Sequence, residues 1–306
     1  MRLAILAAAA LVAAMPVVVH AQTSLLQAIK DARVIDLSHT WDKNSPIASV
    51  NPPYSFALSA THENTRCTFG DECQLSFTSE VMHWSGQHGA PSIDAIGHIG
   101  RNGKLFGGVN AAASTKDPDG IGARGPGANL AIDHYPKDLL VNRGVLLDVA
   151  RKLKGDSPLD AGYEITARDL KETAEAQNVT LQPGDTVFIR TGWGPFFASD
   201  PAMYAGTGSP GPGLDAAEYL ITKGARVVGN DTLTFEKRPP IAFTPKLQVF
   251  PVHMRLITDK GIYIIENLDL EELARAKAYE FAVVVPPLKV RGGTGSAVRV
   301  FALVPR

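Results

Sequence analysis

Three residues that can bind a metal ion lie close together in one short segment of the chain. The segment reads His88-Gly-Ala-Pro-Ser-Ile-Asp94-Ala-Ile-Gly-His98. Imidazole nitrogens and carboxylate oxygens are natural ligands of divalent zinc, manganese and iron, and a site with few protein ligands leaves room for a water molecule to be activated. The segment therefore indicates a metal-dependent hydrolase. Taken alone, however, three such residues are more typical of an exposed glycine-rich loop.

Two residues far downstream strengthen the metal hypothesis. His253 and Glu266 each lie beside strongly apolar stretches, Phe250-Pro-Val-His-Met-Arg-Leu-Ile and Gly261-Ile-Tyr-Ile-Ile-Glu. An ionisable side chain is costly in such surroundings unless it is paired or ligated. Glu266 is predicted to end a buried strand, where its carboxylate would be either an ion-pair partner or a metal ligand.

These residues resemble the cyclase family of metal-dependent hydrolases, which includes bacterial kynurenine formamidases and isatin hydrolases. The family signature is His-x-Gly-Thr-His-x-Asp-x-Pro-x-His. His88, Asp94 and His98 match its first His, its Asp and its last His, whereas Ser92 stands at the second His. The resemblance extends over nearly the whole chain after residue 21, through the segments Val34–His39, Gly144–Asp148, Gly184–Trp193, Gly213–Leu220, Val227–Asp231, Glu266–Leu268 and Gly292–Ser296.

The resemblance implies a fold and an assembly. The expected fold is α/β, a single compact domain over residues 22–306 with a curved mixed β-sheet flanked by helices. The family assembles into homodimers or homotetramers in which loops of the partner help to close the site, and residues 23–60 are expected to form such an arm.

The resemblance also implies roles for the residues of the site. His88, Asp94, His253 and Glu266 are the expected ligands of a divalent ion, Zn²⁺ or Mn²⁺, with Fe²⁺ also compatible. Ser92 is an uncertain ligand position, because a neutral hydroxyl is a weak donor to a divalent ion. His98 is the expected acid/base residue, and Glu266 is the next candidate for that role.

The expected reaction is hydrolysis of an amide, lactam or ester bond in a small cyclic or aryl substrate. Arylformamides and isatin-like lactams both fit the family. The alternative is an exported small-molecule binding protein that binds metal weakly or not at all and has lost catalysis, because Ser92 replaces an imidazole.

The beginning of the chain predicts export. Met1-Arg2, an apolar run from Leu3 to Val19 and Val19-His-Ala21 before Gln22 form the pattern of a cleaved secretory signal peptide over residues 1–21, with an uncleaved membrane anchor as the alternative. The mature protein is expected to be periplasmic or secreted, without membrane attachment. In an oxidising compartment Cys67 and Cys73 would form a disulfide, and a reduced pair acting as a soft metal site is the competing interpretation.

Composition agrees with one globular enzyme domain. The chain has 306 residues, of which 45% are hydrophobic, and a formal net charge of −1. A domain of that size can bury a full core. Basic residues are scattered rather than clustered, which argues against a nucleic-acid partner. Helices are predicted from Thr166 to Gln177, from Asp215 to Lys223 and from Asp269 to Lys277, and Trp84 and Trp193 are expected to pack near the site or to form its wall.

Overall fold

The computed structural model describes residues 16–70, 72–87, 89–123, 125–243 and 246–306. Most of the predicted signal peptide, residues 1–15, lies outside this range, so its cleavage stays a prediction. The described part begins with a helix at Pro16 that continues to Asp31. Within the described ranges, no helix combines the length and the apolar character that crossing a bilayer requires.

The strands of the described chain are short, and most belong to one sheet. In chain order they are β1 (Arg33–Asp36), β2 (Ser55–Ala60), β3 (Ser79–His83), β4 (Ser92–Asp94), β5 (Val141–Asp148), β6 (Glu164–Ile165), β7 (Thr186–Arg190), β8 (Gly211–Pro212), β9 (Val227–Asn230), β10 (Ile241–Ala242), β11 (Gln248–Val249), β12 (Tyr263–Glu266), β13 (Glu280–Val284), β14 (Gly295–Ala297) and β15 (Phe301–Val304).

The helices lie mainly between the central strands. They are α1 (Pro16–Asp31), α2 (Ala111–Ser114), α3 (Val149–Lys154), α4 (Ala167–Ala176), α5 (Phe196–Ser199), α6 (Pro201–Ala205), α7 (Leu214–Thr222), α8 (Pro251–His253) and α9 (Glu271–Arg275). A π-helical turn, Met254–Thr258, continues α8. Single 3-10 turns occur at Phe106–Gly108, Ala128–Leu130, Ile132–His134 and Lys137–Leu139.

The main sheet is mixed and has nine strands in the order β1-β15-β13-β5-β7-β9-β12-β4-β14. Four adjacent strands form the parallel centre of the sheet: β5 pairs with β7, β7 with β9 and β9 with β12, each in parallel. The strands on both sides of this parallel centre are antiparallel. The sheet is curled, and the predicted single α/β domain with a curved mixed sheet is confirmed.

Both faces of the parallel centre are buried. Val187 and Ile189 of β7 pack with Leu170 of α4 and Leu220 of α7 in one hydrophobic cluster. Phe188, between them in the sequence, belongs to a second cluster. Alternate residues of a strand point to opposite faces, so the continuous apolar run of β7 serves two cores, as is usual for a parallel strand covered on both sides.

The predicted helices are confirmed, with small shifts at their ends. Thr166 is the N-cap of α4, where its hydroxyl accepts from the backbone N–H of Asp169 and the Asp169 carboxylate accepts from the backbone N–H of Thr166. This reciprocal capping is the reason that the helix starts where the sequence indicated. Helix α7 begins and ends one residue earlier than predicted. Helix α9 is two residues shorter at each end than predicted.

Residues 23–60 are divided between the main sheet and a separate hairpin, and the expected arm that helps to close a partner's site stays a prediction for the part outside β1. The first strand of this range, β1, pairs with β15 at the edge of the main sheet, and Ile35 is fully buried. The expectation was wrong for that part, because the apolar side chains of Ile35 and Leu37 belong to the central core. Strand β2 instead pairs with β3 in a separate hairpin, most of whose residues are exposed.

The segment between β2 and β3 contains the disulfide. Cys67 and Cys73 are bonded, with their Cα atoms 3.9 Å apart. The structure therefore contains the predicted disulfide and not the reduced pair of the competing interpretation.

Candidate metal centre

Two neighbouring antiparallel strands place the acidic residues of the centre. In the pairing of β4 with β12, Ser92 lies opposite Glu266 and Asp94 lies opposite Ile264. Residues opposite each other, and residues two apart on one strand, point to the same face of a sheet. Ser92, Asp94 and Glu266 therefore share one face, at the end of the sheet where β12 finishes.

His253 reaches this face from helix α8. The residue before the helix, Phe250, has a left-handed backbone (φ 53°), and its ring packs edge-on against the imidazole at 5.3 Å. A bulky residue in that conformation is unusual and is often found at functional sites. The π-helical turn that follows His253 is a second local irregularity of the same kind.

Asp94, His253 and Glu266 form a compact group. The imidazole Nε2 of His253 lies 3.2 Å from Glu266 Oε1 and 3.8 Å from Asp94 Oδ2. One ligand atom of each residue lies within 4.8 Å of the others. Asp94 and His253 are each 3% exposed. Three of the four residues expected to bind the ion are thus brought together, and His88 lies outside the described residues.

The buried position changes how these groups ionise. Burial raises the pKa of Glu266 to about 7, and the negative charge of Asp94 adds to that rise, while the hydrogen bond from His253 opposes it. Burial alone would lower the pKa of His253, but the carboxylates of Glu236 and Glu266 raise it well above its ordinary value. The group thus gathers negative charge that a cation would neutralise.

Glu236 is a member of the site that the sequence did not reveal. It is 1% exposed, and its Oε1 lies 2.6 Å from His253 Nδ1. Its two oxygens also accept hydrogen bonds from the backbone N–H groups of Val252 and His253. The residue lies 17 positions before His253 in an irregular loop after β9, and no periodic pattern marks it.

His98 lies beside the group, on the turn after β4. Its Nε2 is 3.8 Å from Asp94 Oδ1, and its Nδ1 is 3.1 Å from the side-chain nitrogen of Gln87. Gln87 also contacts the hydroxyl of Thr294 at 3.3 Å. About a third of the His98 side chain is exposed, 31%, so this imidazole faces both the buried acids and the solvent. The acid/base role of His98 stays a prediction.

The loop that leads from His88 into β4 is tied to the end of β12. Asn267 has a left-handed backbone (φ 62°), and its side-chain nitrogen donates to the carbonyl of Gly89 at 3.3 Å. Tyr204 donates its hydroxyl to Asn267 Oδ1 at 3.0 Å. Gly89 has φ 153°, and a Cβ there would lie 2.4 Å from the Pro91 carbonyl oxygen, so the turn requires glycine.

A narrow cleft opens onto Glu266. Its walls include Trp41, Tyr54, Leu233, Gln87 and Asn267. The rings of Trp41 and Tyr54 lie 4.4 Å apart. Trp193, expected to pack near the site or to form its wall, does not line this cleft, because its indole is 1% exposed in the core and donates to the Leu159 carbonyl at 2.9 Å.

The chain is similar to known proteins in sequence and in fold. A family profile described as putative cyclase matches residues 35–237. The isatin hydrolase of Roseibium aggregatum is 32% identical over 163 residues, which are 49% of this chain and 56% of that protein. The match thus spans little more than half of that relative.

Solved structures share the fold over most of the chain. The crystal structure of a protein described as a novel cyclase is 27% identical and superposes with a TM-score of 0.77 over 92% of each chain. Isatin hydrolase A from Labrenzia aggregata is 20% identical, with a TM-score of 0.68 over 94% of this chain and all of that one. The resemblance predicted from His88, Asp94, His98 and the segments around them is confirmed: this chain belongs to the cyclase family.

Proposed function

We propose that this protein is an exported metal-dependent hydrolase that cleaves an amide, lactam or ester bond in a small cyclic or aryl substrate. The observation that carries the proposal is the buried group of Asp94, His253 and Glu266 with His98 beside it. Similarity to an isatin hydrolase over about half of the chain supports the same class of reaction.

The donor atoms fit a divalent ion. One imidazole nitrogen and two carboxylate oxygens lie within 4.8 Å of one another, and this mixture of nitrogen and oxygen suits zinc, manganese or iron. When bound, such an ion polarises a carbonyl group and lowers the pKa of a water molecule. His88 is proposed as a further ligand on the strength of its position in the family signature.

His98 is proposed to move the proton that hydrolysis requires. Addition of water to the carbonyl carbon releases one proton, and breaking the bond to the leaving nitrogen or oxygen consumes one. An imidazole is suited to accept the first and return the second. Gln87 contacts Nδ1 of His98, and the opposite nitrogen, Nε2, lies 3.8 Å from Asp94 Oδ1, which supports this role.

The side chains that line the cleft support a partly apolar substrate, and the cleft, with about 20 Å³ of free space, would have to widen to admit an aromatic ring. The ring pair of Trp41 and Tyr54, together with Leu233, offers apolar surface, whereas Gln87 and Asn267 offer amide groups. An aromatic ring would pack on the first set, and its carbonyl substituent would accept from the second. Aryl amides and fused-ring lactams have both features.

The test is hydrolysis by purified protein that has been freed of metal and then reloaded with Zn²⁺ or Mn²⁺. Isatin and an arylformamide serve as substrates, and the loss of their ultraviolet absorption bands measures the rate. We expect turnover that depends on the ion and is absent in Asp94→Ala. Stoichiometric metal without turnover on either class would contradict the proposed substrate range, and a protein that takes up no metal would contradict the reaction itself.

The same measurement decides the second candidate, an exported binding protein without catalysis. Ser92 favours it, because this residue is 2% exposed and faces Glu266 where the family has an imidazole. Protein that binds an aryl ligand when metal-free and shows no turnover after reloading with the ion would be the binder. Turnover that returns with the ion would identify the enzyme.

Export and assembly are proposed on separate grounds. The amino-terminal pattern and the disulfide between Cys67 and Cys73 both suit an oxidising compartment, and mass spectrometry of the secreted protein should find Gln22 as the first residue.

Assembly into homodimers or homotetramers is supported by the hairpin of β2 and β3, where Phe56 and Leu58 are more than half exposed. Light scattering of the wild type and of Phe56→Ser would test that interface.

A further inference from the structure

Glu236 has the contacts of a group that orients the imidazole ring of His253. Its Oε1 lies 2.6 Å from Nδ1 of the imidazole, while the opposite ring nitrogen, Nε2, faces Glu266 at 3.2 Å. A carboxylate can only accept a hydrogen bond from the ring, so the Nδ1 atom must carry the proton of this contact. Nε2 lies against the carboxylate of Glu266, and a cation that displaced the proton from this contact would meet an Nε2 lone pair directed toward Asp94 and Glu266.

The position of Glu236 is itself fixed by the surrounding backbone. The side chain of Asn230, at the end of β9, donates to the carbonyl of Phe235 at 2.7 Å. On the other side, Gly211 of β8 packs so closely that a Cβ would lie 2.4 Å from the same carbonyl oxygen. Glu236 also accepts from the backbone N–H of Val252 and from that of His253, which fixes the start of α8 relative to the loop.

These contacts separate Glu236 from the other two acids of the site. Asp94 and Glu266 lie on the Nε2 side of the imidazole, and Glu236 lies on the Nδ1 side. A carboxylate behind a metal-binding imidazole sets its tautomer and orientation and increases the basicity of the nitrogen that binds the ion.

We propose that Glu236 is a positioning residue that holds His253 in the Nδ1–H tautomer and so directs Nε2 to the metal centre formed with Asp94 and Glu266. The inference rests on the proposed function, because it assumes that a divalent ion occupies the centre. Glu236 acts through His253 and does not touch the substrate.

The variant Glu236→Gln tests this role. Gln keeps the size of the side chain, but it removes the charge and turns one acceptor oxygen into a donor. The affinity for Zn²⁺, measured by competition with a chromophoric chelator, should fall about 10- to 100-fold. Urea unfolding of the metal-free variant is followed in parallel, so that a loss of folded protein is not taken for a loss of affinity.

Asp185→Asn is the matched control. Asp185 is also buried, at 3% exposed, accepts from the backbone N–H of Gln182 and pairs with Arg143. It precedes β7, at the end of the parallel strands opposite to the centre. This variant should lose stability without a change in zinc affinity.

A second measurement needs no variant. In the zinc-loaded wild type, nitrogen NMR of labelled histidines should show His253 protonated at Nδ1 and shifted by a strong hydrogen bond. A His253 ring protonated at Nε2, or equal zinc affinity in the wild type and Glu236→Gln, would overturn the inference while leaving the hydrolase proposal intact. A wild type that binds no zinc and no manganese would overturn both.

Discussion

The buried carboxylate of Asp231 should make the wild type less stable as pH rises, relative to the variant Asp231→Asn. Asp231 follows β9 and is fully buried. Its Oδ1 accepts from the backbone N–H and the hydroxyl of Thr191, both at 2.8 Å, and its Oδ2 accepts from the N–H of Gly192 at 2.9 Å. The residue therefore joins the loop after β7 to the end of β9.

The size of the effect follows from the ionisation of Asp231. Burial raises its pKa from 3.8 to about 6, although the hydrogen bonds from Thr191 oppose the rise. Between these two values the folded protein holds a proton that the unfolded chain has released. The corresponding stability is complete below about pH 4 and is lost as pH rises through about 6; two units at about 1.4 kcal/mol each give about 3 kcal/mol.

The assay is urea unfolding of chelator-treated protein, followed by near-ultraviolet circular dichroism at several pH values. Other groups also titrate, so the informative quantity is the free energy of unfolding of the wild type minus that of Asp231→Asn. This difference should fall by about 3 kcal/mol between about pH 4 and pH 7. A difference that stays constant, or that grows with pH, would refute the reasoning.

Thr191→Val sharpens the test. The hydroxyl of Thr191 donates to the ionised carboxylate, so its removal should raise the pKa of Asp231 further. The decline in stability should then extend to higher pH than in the wild type. If Thr191→Val shifts the decline to lower pH, the hydroxyl does not stabilise the ionised form.

Three substitutions in the centre give further expected results. Asp94→Ala should abolish metal retention, measured by elemental analysis, while its circular dichroism spectrum stays that of the wild type, since a ligand is lost without a cavity in the core; full occupancy would show that Asp94 is not a ligand. His98→Ala should retain the metal but lower turnover by on the order of a hundredfold. Loss of metal in that variant would instead make His98 a ligand and Glu266 the next acid/base candidate. Ser92→His should tighten metal binding in a titration, because an imidazole replaces a weak hydroxyl donor, and unchanged or weaker affinity would mean that the pocket no longer accepts a ligand there.

The sequence predicted the parts of the fold that depend on local patterns. Thr166 and Asp169 form a capping box that is visible as spacing alone, and the apolar run of β7 is visible as composition. The arm was predicted less well. Nothing local distinguishes β1, which enters the central core through Ile35, from β2, which remains in an exposed hairpin, because the difference lies in pairing with β15 at the other end of the chain.

The residues of the site were predictable where an ionisable side chain lies among apolar neighbours in the sequence, since burying such a side chain costs free energy. Glu266 at the end of an apolar strand and His253 beside apolar residues both carried that signal, and the structure brings them within 3.2 Å of each other. Glu236, Asn267 and Trp41 carried no such signal, since each lies in an irregular segment. Glu236 contacts His253, Asn267 contacts Gly89 and Trp41 contacts Tyr54. These contacts join segments that are distant in the sequence or show no periodic pattern of apolar residues.

Ser92 and Glu236 both affect the nitrogen donors of the centre. Ser92 stands where the family has an imidazole, and Glu236 contacts the imidazole of His253. With Ser92 facing Glu266, strand β4 contributes a hydroxyl and the carboxylate of Asp94, so among the described residues that converge there the imidazole of His253 is the nitrogen donor. Even with His88 as the proposed further ligand, the centre has one imidazole fewer than the family signature supplies, so metal binding depends more strongly on the orientation of the His253 ring. The 2.6 Å contact with Glu236 is where this orientation is set. For that reason the effect of Glu236→Gln on metal affinity should be smaller in the Ser92→His background than in the wild type.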